Sequence, residues 1–486
     1  MFKKVCFIFG CLLVVSCGST RIVDEGGADS FNTDIEEIGI SDNSSFRVGM
    51  LLPLTGNDAK YGAGLKNASM LALQNINNPK LVLQYYDTQS SQAGARVAVE
   101  NAINQRANLI IGPLKSSEVH AISGETIYNG VPVIAFSTAQ EVLQPTVYTL
   151  GLLIEEQVDR VMSYAAQKGR ERFALLLPDN ATGGAVAKAA VKSAAKNGVK
   201  VTAIGFYELG TSNFSQIAKD MTNYEKRHAR VVNIKNKLQA KADAGDMQAQ
   251  KALKKLATRE GLGDVGFDAL LVPESGAKLT AALSMFAYYD ASFPTVWFLG
   301  TSVWSTSRLN NEAIIAKSVY PSVSKESTQG FAGQYYMVFG EKPSSLYTLA
   351  YDAVSIADKL SKANGENLNE DIVQTEGFDG VGGKVRFFND GANQHSLDVV
   401  EIMPSGNVVV DSGSKYFETV VEPLPAVEID ASYKMPKIYG KDPTAAQILI
   451  YGQPLGLENQ VYDEVDSVKD SEAAQQQLKA MGIYIN

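Results

Sequence analysis

Apolar segments of strand length alternate with amphipathic segments of helical length along most of this chain. The segment 47–54, which is apolar after Arg47, predicts a strand buried on both faces, whereas a segment such as 62–77 has its apolar residues on one helical face. Strands and helices that alternate in this way form βαβ units, which build parallel sheets covered on both faces. The pattern therefore predicts an α/β fold with a doubly wound parallel sheet.

The alternation begins again near residue 158, which indicates a second sheet. The predicted strands are 47–54, 81–87, 108–113 and 131–136, followed by 173–178, 200–207, 269–273 and 295–300. In open α/β sheets, ligands bind at the carboxyl ends of the strands. Two such units in succession predict two lobes with a ligand-binding cleft between the carboxyl ends of their sheets.

The N-terminus has the layout of a secretory signal peptide. Lys3 and Lys4 precede an apolar run over 5–15, which is too short to span a bilayer as a permanent helix. The run closes with Leu-Val-Val-Ser-Cys at 13–17, which resembles the bacterial lipobox. In that motif the cysteine is acylated and begins the mature protein, so Cys17 is the expected lipidation site and 1–16 the signal peptide. The alternative is an ordinary signal peptide that happens to contain a cysteine.

Cysteine usage and the residues after Cys17 bear on location. The chain has three cysteines and none after position 17, so the mature domain cannot hold a disulfide, a zinc–thiolate site or a cysteine nucleophile. Residues 17–45 are rich in Gly, Ser, Asp and Glu, which predicts a lipid-anchored flexible tether. Gly18, rather than Asp, after the cysteine favours the outer over the inner membrane. The chain is therefore expected in the cell envelope, facing the periplasm.

Size and charge restrict the function further. Removing 16 of 486 residues leaves 470, which exceeds one hydrophobic core and predicts at least two domains. The formal net charge of -9 argues against nucleic acid as a partner, because phosphate binding needs a basic surface. The three histidines, His120, His228 and His395, lie in no metalloprotease or nucleophile-elbow spacing. We expect no enzyme activity, no metal and no cofactor.

A series of segments resembles the type I periplasmic binding proteins of the leucine-binding class. The matching segments are RVGMLLPLTG, KYGAGLKNASMLALQNIN, YYDTQSSQAGARVAVENAI, LIIGPLKSSEV, GVPVIAFSTA, FALLLPDNATGG, FDALLVPESGAKL and VWFLGTS. The resemblance covers about 46–412 and implies a two-lobed fold. Lobe one is expected at about 46–150 and 321–375, and lobe two at about 151–320 and 376–412.

The resemblance also implies which residues of lobe one hold a ligand. In the family, loops after the first, third and fourth strands bind it, and hydroxyls at the starts of the following helices accept an anion such as a carboxylate. The positions that match are Tyr61, Ser116, Ser117, Ser137 and Thr138. Each has an alternative interpretation: Ser116 or Ser117 could be a helix N-cap, and Tyr61 could close the core over the first turn.

Lobe two departs from the amino-acid-binding members. Thr182 stands near the position of their tyrosine, and Thr301 and Ser302 follow the strand where they place an acidic residue. That acidic residue pairs with the ligand ammonium in the family, and an unpaired ammonium in a cleft is unfavourable. Glu274 could substitute for it, although a solvated loop charge is the alternative interpretation. Ordinary amino-acid capture is therefore in doubt.

Two segments lie outside the plain binding-protein pattern. Residues 225–260 form a predicted helical insert with ten Lys or Arg against four Asp or Glu, broken at 244–246. The insert is either a solvated decoration or a docking surface for an acidic protein or an anionic wall polymer. Residues 413–486 are a C-terminal extension, expected to wrap over the domain or meet a partner.

Together with SLYTLAYDAVSIADKL, these features resemble the lipoproteins called penicillin-binding protein activators. That resemblance implies a non-catalytic regulator of peptidoglycan synthesis whose partner is a cell-wall synthase. The best-known members carry an N-terminal helical-repeat domain, which this chain lacks before its predicted fold. The alternative is the substrate-binding subunit of an ABC importer, with an ABC permease as partner and an amino acid of the branched-chain type or a related small polar solute in the cleft.

Overall fold

The computed structural model describes residues 45–306, 309, 313–363, 367–419, 424, 427–429, 433–457, 460–462 and 467–484. The predicted signal peptide, Cys17 and the tether up to residue 44 lie outside these ranges. Among the described helices, none is both long and apolar enough to cross a membrane.

The strands are β1 Phe46–Leu52, β2 Leu81–Asp87, β3 Leu109–Ile111, β4 Val133–Ala135, β5 Val147–Thr149, β6 Arg172–Pro178, β7 Lys200–Tyr207, β8 Ala269–Leu271, β9 Trp297–Leu299, β10 Val319–Ser322, β11 Phe378–Gly380, β12 Gly383–Phe387, β13 Asn393–His395, β14 Asp398–Glu401, β15 Val408–Asp411 and β16 Lys437–Tyr439. The helices are α1 Ala59–Ile76, α2 Gln92–Asn104, α3 Ser116–Tyr128, α4 Ile154–Gln167, α5 Ala181–Asn197, α6 Ser215–Met221, α7 Tyr224–Asp243, α8 Met247–Leu256, α9 Gly276–Tyr288, α10 Lys325–Phe339, α11 Tyr347–Lys362, α12 Leu368–Ile372, α13 Gly413–Thr419, α14 Pro443–Tyr451 and α15 Ser467–Ala480.

Lobe one is built on a parallel sheet with the strand order β2-β1-β3-β4-β5. Successive side chains of a strand point to opposite faces, so an apolar strand contributes to two cores. Val48, Met50 and Leu52 of β1 pack in one core with α1 and α11. Leu51 of the same strand packs in a second core with α2 and α3. The predicted doubly wound sheet of this lobe is confirmed.

Lobe two is built on a larger sheet with the order β15-β14-β10-β9-β8-β6-β7-β16. Its central strands β10, β9, β8, β6 and β7 are parallel. Leu176 of β6 packs with α6 and α9 on one face, whereas Leu175 and Leu177 pack with α4 and α5 on the other. The predicted α/β fold with two lobes is therefore confirmed. Strands β14 and β15 add an antiparallel edge that the apolar pattern did not predict.

The chain crosses between the lobes at three short segments. Residues 150–153 lead from β5 to α4, 323–324 from β10 to α10, and 396–397 from β13 to β14. Beside the first and third crossovers, Asn393 Nδ2 donates to the backbone oxygens of Thr149 at 2.6 Å and Gly151 at 2.9 Å. These contacts hold two of the crossovers side by side.

The return segments differ from the boundaries that we drew from the sequence. We expected lobe two to resume at 376, but Phe378, Val385 and Phe387 of the β11–β12–β13 sheet pack in the core of lobe one. Lobe two resumes at β14, and the whole of β10, which our boundary between 320 and 321 divided, belongs to the lobe-two sheet. The correction has a simple cause: short antiparallel strands have apolar residues on one face, and the sequence does not show which lobe that face covers.

The insert forms a helical hairpin, and the tail covers it. Helices α7 and α8 are separated at Gly245, whose φ of +94° requires a glycine-like backbone, and Asp246 caps α8. Helix α15 of the tail packs on this hairpin through Ala474 and Leu478, and Ile483, just after the helix, joins the same cluster. The tail also adds β16 to the edge strand β7 and places α14 on α5. The described parts of the extension therefore pack on lobe two.

A buried carboxyl group ties α11 to the β11–β12 turn. Asp352 accepts hydrogen bonds from the backbone N–H groups of Val381 at 2.6 Å and Gly382 at 2.9 Å. Burial raises the pKa of Asp352 to about 7, although these two hydrogen bonds and nearby His395 act in the opposite direction. The native carboxyl group therefore keeps its proton at a pH where the unfolded chain releases it.

We expect an Asp352→Asn variant to gain stability relative to the wild type as the pH rises from 5 to 7. A raised native pKa means that the stability linked to this proton is complete below the unfolded pKa and is lost as the pH rises through the native pKa. The asparagine cannot ionise, so it lacks this loss. Urea unfolding of both proteins at pH 5, 6, 7 and 8 measures the difference. A difference that is constant with pH, or equal to that of exposed Asp379→Asn, would contradict the expectation.

Candidate functional site

The crossovers bring the carboxyl ends of the strands of one sheet close to those of the other. The first crossover leaves the carboxyl end of β5 and enters α4 after four residues, 150–153, which span at most about 14 Å. The second leaves the carboxyl end of β10 and enters α10. Because both segments are short, the loops at these two sheet edges border a common cleft. This cleft is the candidate functional site.

The structure places the predicted lobe-one residues at this edge. Ser116 and Ser117 begin α3 directly after β3, and Ser137 and Thr138 follow β4, which pairs with β3. Tyr61 lies in the first turn of α1 and is 45% exposed, so the alternative that it closes the core is not what the structure shows.

Neither serine at the start of α3 is the N-cap residue, which was the alternative interpretation of Ser116 and Ser117. Lys115 is the N-cap residue of α3, and no side chain caps this helix. The first-turn N–H groups of α3 and the hydroxyls of half-buried Ser116 and exposed Ser117 are thus at the cleft edge. By contrast, the Ser137 hydroxyl is buried and accepts a hydrogen bond from the backbone N–H of Ala139 at 3.1 Å. Ser137 therefore holds its own loop, and its neighbour Thr138 is the exposed group.

Carboxylates already surround the N-terminus of α3. Lys115 forms an ion pair with Asp58, which precedes α1. The Glu118 side chain lies buried in the first turn of α3, and burial raises its pKa, while the Thr88 hydroxyl and Lys115 act to lower it. A helix N-terminus favours an anion, and these internal acids occupy that favourable position. The ion pair between Lys115 and Asp58 was not predicted from the sequence, although Lys115 stands beside Ser116 in the same segment.

Glu274 of lobe two already has two partners in the structure. It accepts a hydrogen bond from the Tyr207 hydroxyl at the end of β7, and Lys278 Nζ lies 3.3 Å from its Oε1. Lys278 Nζ also lies 4.5 Å from the centroid of the Tyr207 ring. Burial, followed by the hydrogen bond to Glu274, raises the pKa of Tyr207. Lys278 balances the charge of the carboxylate and the Tyr207 hydroxyl donates to it, so half-buried Glu274 is not a freely solvated charge.

A second acidic residue at the same edge is neutralised by the tail. Asp179 follows β6, and its Oδ1 lies 2.6 Å from Nζ of Lys441, just after β16. Thr182 lies in the first turn of α5, close to Asp179 in the chain, and is exposed. It is the residue of this loop that we predicted to contact a ligand. Sequence reasoning missed the Asp179–Lys441 pair because the two residues are far apart in the chain and no local pattern links them.

The loop after β9 packs against the carboxyl end of the lobe-two sheet. Thr301 is buried, and the short 3-10 helix Ser302–Thr306 returns Trp304 against Gly300. The indole Nε1 of Trp304 donates a hydrogen bond to the backbone oxygen of Val272 at 2.9 Å. A Cβ atom at Gly300 would lie 2.1 Å from this ring, so the close approach needs glycine. Thr301 therefore contributes to the floor of the site rather than to its exposed rim.

The edge loops present several exposed hydroxyl groups, together with charged groups such as Glu208, which is exposed directly after β7. The exposed groups at the two edges include Tyr61, Ser117, Thr138 and Thr182. The carboxylates Asp58, Asp179 and Glu274 are each paired with a lysine. Within the described ranges, no group of three or more His, Cys, Asp or Glu residues is arranged to hold a metal ion.

The comparisons with known proteins agree with this architecture. A family profile described as "Periplasmic binding protein" matches residues 45–225. The search of curated proteins found no match.

Three solved structures that match this chain show the fold. A protein described as a branched-chain amino acid ABC transporter from Rhodospirillum rubrum has a TM-score of 0.61 at 16% identity, with 75% of this chain and 100% of that chain covered. A branched-chain amino acid ABC transporter periplasmic ligand-binding protein from Burkholderia xenovorans LB400 has a TM-score of 0.54 at 16% identity, covering 76% and 95%. A leucine-, isoleucine-, valine-, threonine- and alanine-binding protein from Brucella ovis, in a closed conformation, has a TM-score of 0.54 at 16% identity, covering 78% and 97%. This chain therefore has the two-lobed fold of the type I periplasmic binding proteins.

Proposed function

We propose that this chain is a non-catalytic binding protein that captures a small polar solute between its lobes and presents it to an ABC permease. The observation that carries the proposal is the cleft between the carboxyl ends of two parallel sheets joined by three short crossovers. Crossovers of this kind allow hinge closure around a ligand. Fold neighbours named as branched-chain amino acid ABC transporter proteins support it.

The ligand of the proposal is a neutral polar solute rather than a free α-amino acid. The ligand would meet Tyr61, Ser117, Thr138 and Thr182 at the rim of the cleft. An α-ammonium group would find the carboxylates of Asp179 and Glu274 already paired with lysines. A buried ammonium without a partner costs several kcal/mol. The α-carboxylate of an amino acid would likewise meet the acids around α3.

The test is a thermal-shift panel on the soluble chain. The panel contains branched-chain amino acids, their N-acetyl amides, simple sugars and peptidoglycan fragments. We expect a neutral polar compound to raise the Tm, because a ligand at 100 times its Kd adds about 2.7 kcal/mol of stability. The free amino acids should give a smaller rise than their neutral derivatives.

A pair of tryptophan variants locates the binding. Ser117→Trp places an indole at the lobe-one edge and should remove the shift, whereas Met337→Trp, exposed near the far end of α10, should keep it. A shift that survives Ser117→Trp would place the ligand outside the cleft. No shift with any compound of the panel would count against the proposal.

The proposal for location follows from the N-terminus. We place the chain in the periplasm, anchored through lipid on Cys17 after removal of residues 1–16, with the outer membrane favoured over the inner. The residues concerned lie outside the described part of the chain. Metabolic labelling with a fatty acid, in the wild type and in Cys17→Ser, tests the anchor.

A second candidate is a regulator of a cell-wall synthase, like the penicillin-binding protein activators. One observation favours it: the Rhodospirillum rubrum structure is covered completely, yet it accounts for 75% of this chain. The insert hairpin α7–α8 and the tail helix α15, which pack together, are surfaces that could contact such a synthase. If the thermal-shift panel gives nothing, co-purification with penicillin-binding proteins is the experiment that supports this candidate.

A further inference from the structure

The insert hairpin and the tail helix form a small helical module on lobe two. Apolar residues of the three helices and of the segments that follow α8 and α15 pack into one cluster. Its buried members are Val231, Leu238, Ala242, Ala249, Ala252, Leu256, Leu262, Ala474, Leu478 and Ile483. An ion pair fastens α15 to α7, since Arg230 Nη1 and Nη2 lie 2.8 and 2.5 Å from the two carboxylate oxygens of Asp470. The module is thus a packed unit and not a set of solvated helices.

A groove runs between α7 and α15 on the outside of this module. Its volume is about 710 Å³. Apolar side chains form its floor. They are Ile234 and Leu238 of α7, Ala474 and Leu478 of α15, and Ile483 just after α15. The Tyr484 side chain stands at the groove and is 78% exposed. An exposed aromatic ring beside an apolar floor is typical of a protein-binding surface.

The rim of the groove is positively charged. Lys237 and Lys241 lie on α7, and Lys479 lies on α15. No described acidic residue lines the groove, and no ion pair between described residues involves these three lysines. Lys237 and Lys241 are four residues apart on one helix, where like charges repel and destabilise the helix. An acidic partner would remove this repulsion.

The shape of the groove favours a helix as its occupant. Two helices form its walls, and a third helix that lies between them would pack its apolar ridge on Leu238 and Leu478. Amphipathic helices bind such grooves through apolar residues spaced three or four apart. A carbohydrate or phosphate polymer has no apolar ridge, and a flat bilayer surface does not enter a concave groove.

We propose that this groove binds an acidic amphipathic helix of a partner protein. The apolar face of that helix packs on the floor, and its Asp or Glu residues lie against Lys237, Lys241 and Lys479. The site is outside the cleft between the lobes, so the proposal does not depend on which solute the cleft binds.

A peptide selection on the whole chain tests this proposal. A display library of 16-residue helix-forming peptides with random surface positions is selected on immobilised protein, and the Kd of each recovered peptide is measured by fluorescence anisotropy. We expect the recovered peptides to have a net negative charge and apolar residues at three- and four-residue spacing. Their Kd for a Lys237→Glu/Lys241→Glu variant should be at least tenfold higher than for the wild type.

The controls separate a specific groove from general charge attraction. Lys188→Glu/Lys342→Glu changes the net charge equally at exposed lysines elsewhere and should leave the Kd within twofold. A recovered peptide with its Glu residues changed to Lys should bind the Lys237→Glu/Lys241→Glu variant better than the wild type. Tyr484→Ser should weaken binding without changing the net charge.

Three outcomes would overturn the proposal. The first is that no recovered peptide binds the wild type below 100 µM. The second is that the recovered peptides bind both double variants equally well. The third is displacement of a recovered peptide by phosphatidylglycerol vesicles, which would assign the surface to a membrane.

Discussion

Replacing Trp304 by alanine is expected to lower the free energy of unfolding by about 3–5 kcal/mol. The indole is 1% exposed and packs in the core between the lobe-two sheet and α9. Its removal leaves a cavity at the end of the sheet and deprives the Val272 backbone oxygen of a hydrogen-bond donor. Urea unfolding followed by far-ultraviolet circular dichroism measures the loss without relying on the deleted fluorophore.

The matched control is the neighbouring residue of the same short helix. Val303 is exposed, so Val303→Ala should change the free energy of unfolding by less than about 0.5 kcal/mol. A loss below about 1 kcal/mol for Trp304→Ala would show that the ring does not pack as described. The same variant should also weaken ligand binding, since Thr301 and the cleft floor rest on this loop.

Replacing Asp470 by alanine is expected to release α15 and cost about 1–3 kcal/mol, because buried donors lose their acceptor and Arg230 loses its partner. The Asp470 side chain is 2% exposed and contacts Arg230 on α7. It also accepts a hydrogen bond from the backbone N–H of Asp264 at 3.0 Å. Its loss leaves the partly exposed Arg230 guanidinium without its carboxylate partner. Hydrogen exchange of the α15 amides measures the release directly.

The same pair has a definite pH dependence. Burial alone would raise the pKa of Asp470, but the Arg230 guanidinium and the Asp264 N–H more than offset it, so the pKa lies below its usual value. A lowered native pKa stabilises the fold above the unfolded pKa, and this stability is lost as the pH falls through the native pKa. Protection of α15 should therefore persist at neutral pH and decline in acid. Exposed Asp243→Ala on α7 serves as the control and should keep full protection.

The sequence predicts the regular part of the fold well because burial on two faces leaves a clear pattern. The apolar runs that became β1 and β6 place side chains in two cores each, and no polar residue interrupts them. The break of the insert at 244–246 was also predictable, since Gly245 and Asp246 are typical of a helix end followed by a new N-cap.

The remaining features depend on contacts between distant segments. The β11–β12–β13 sheet has apolar residues on one face, and the sequence does not show that this face covers lobe one. The pairing of Glu274 with Lys278 four residues later could have been expected from helical spacing. The pairing of Asp179 with Lys441 could not, because the tail reaches it only through β16. The chemistry of the cleft was therefore less predictable than its position.

The central claim, that the lobes close on a polar solute, is tested most directly by energy transfer across the cleft. The chain has no cysteine after Cys17, so Lys60→Cys and Ser275→Cys can be labelled selectively once residues 1–17 are omitted. With the compound that gives the thermal shift, transfer efficiency between these lobes should rise, whereas a Lys60→Cys/Lys342→Cys pair within lobe one should not change. Saturating ligand without any change between residues 60 and 275 would contradict the claim.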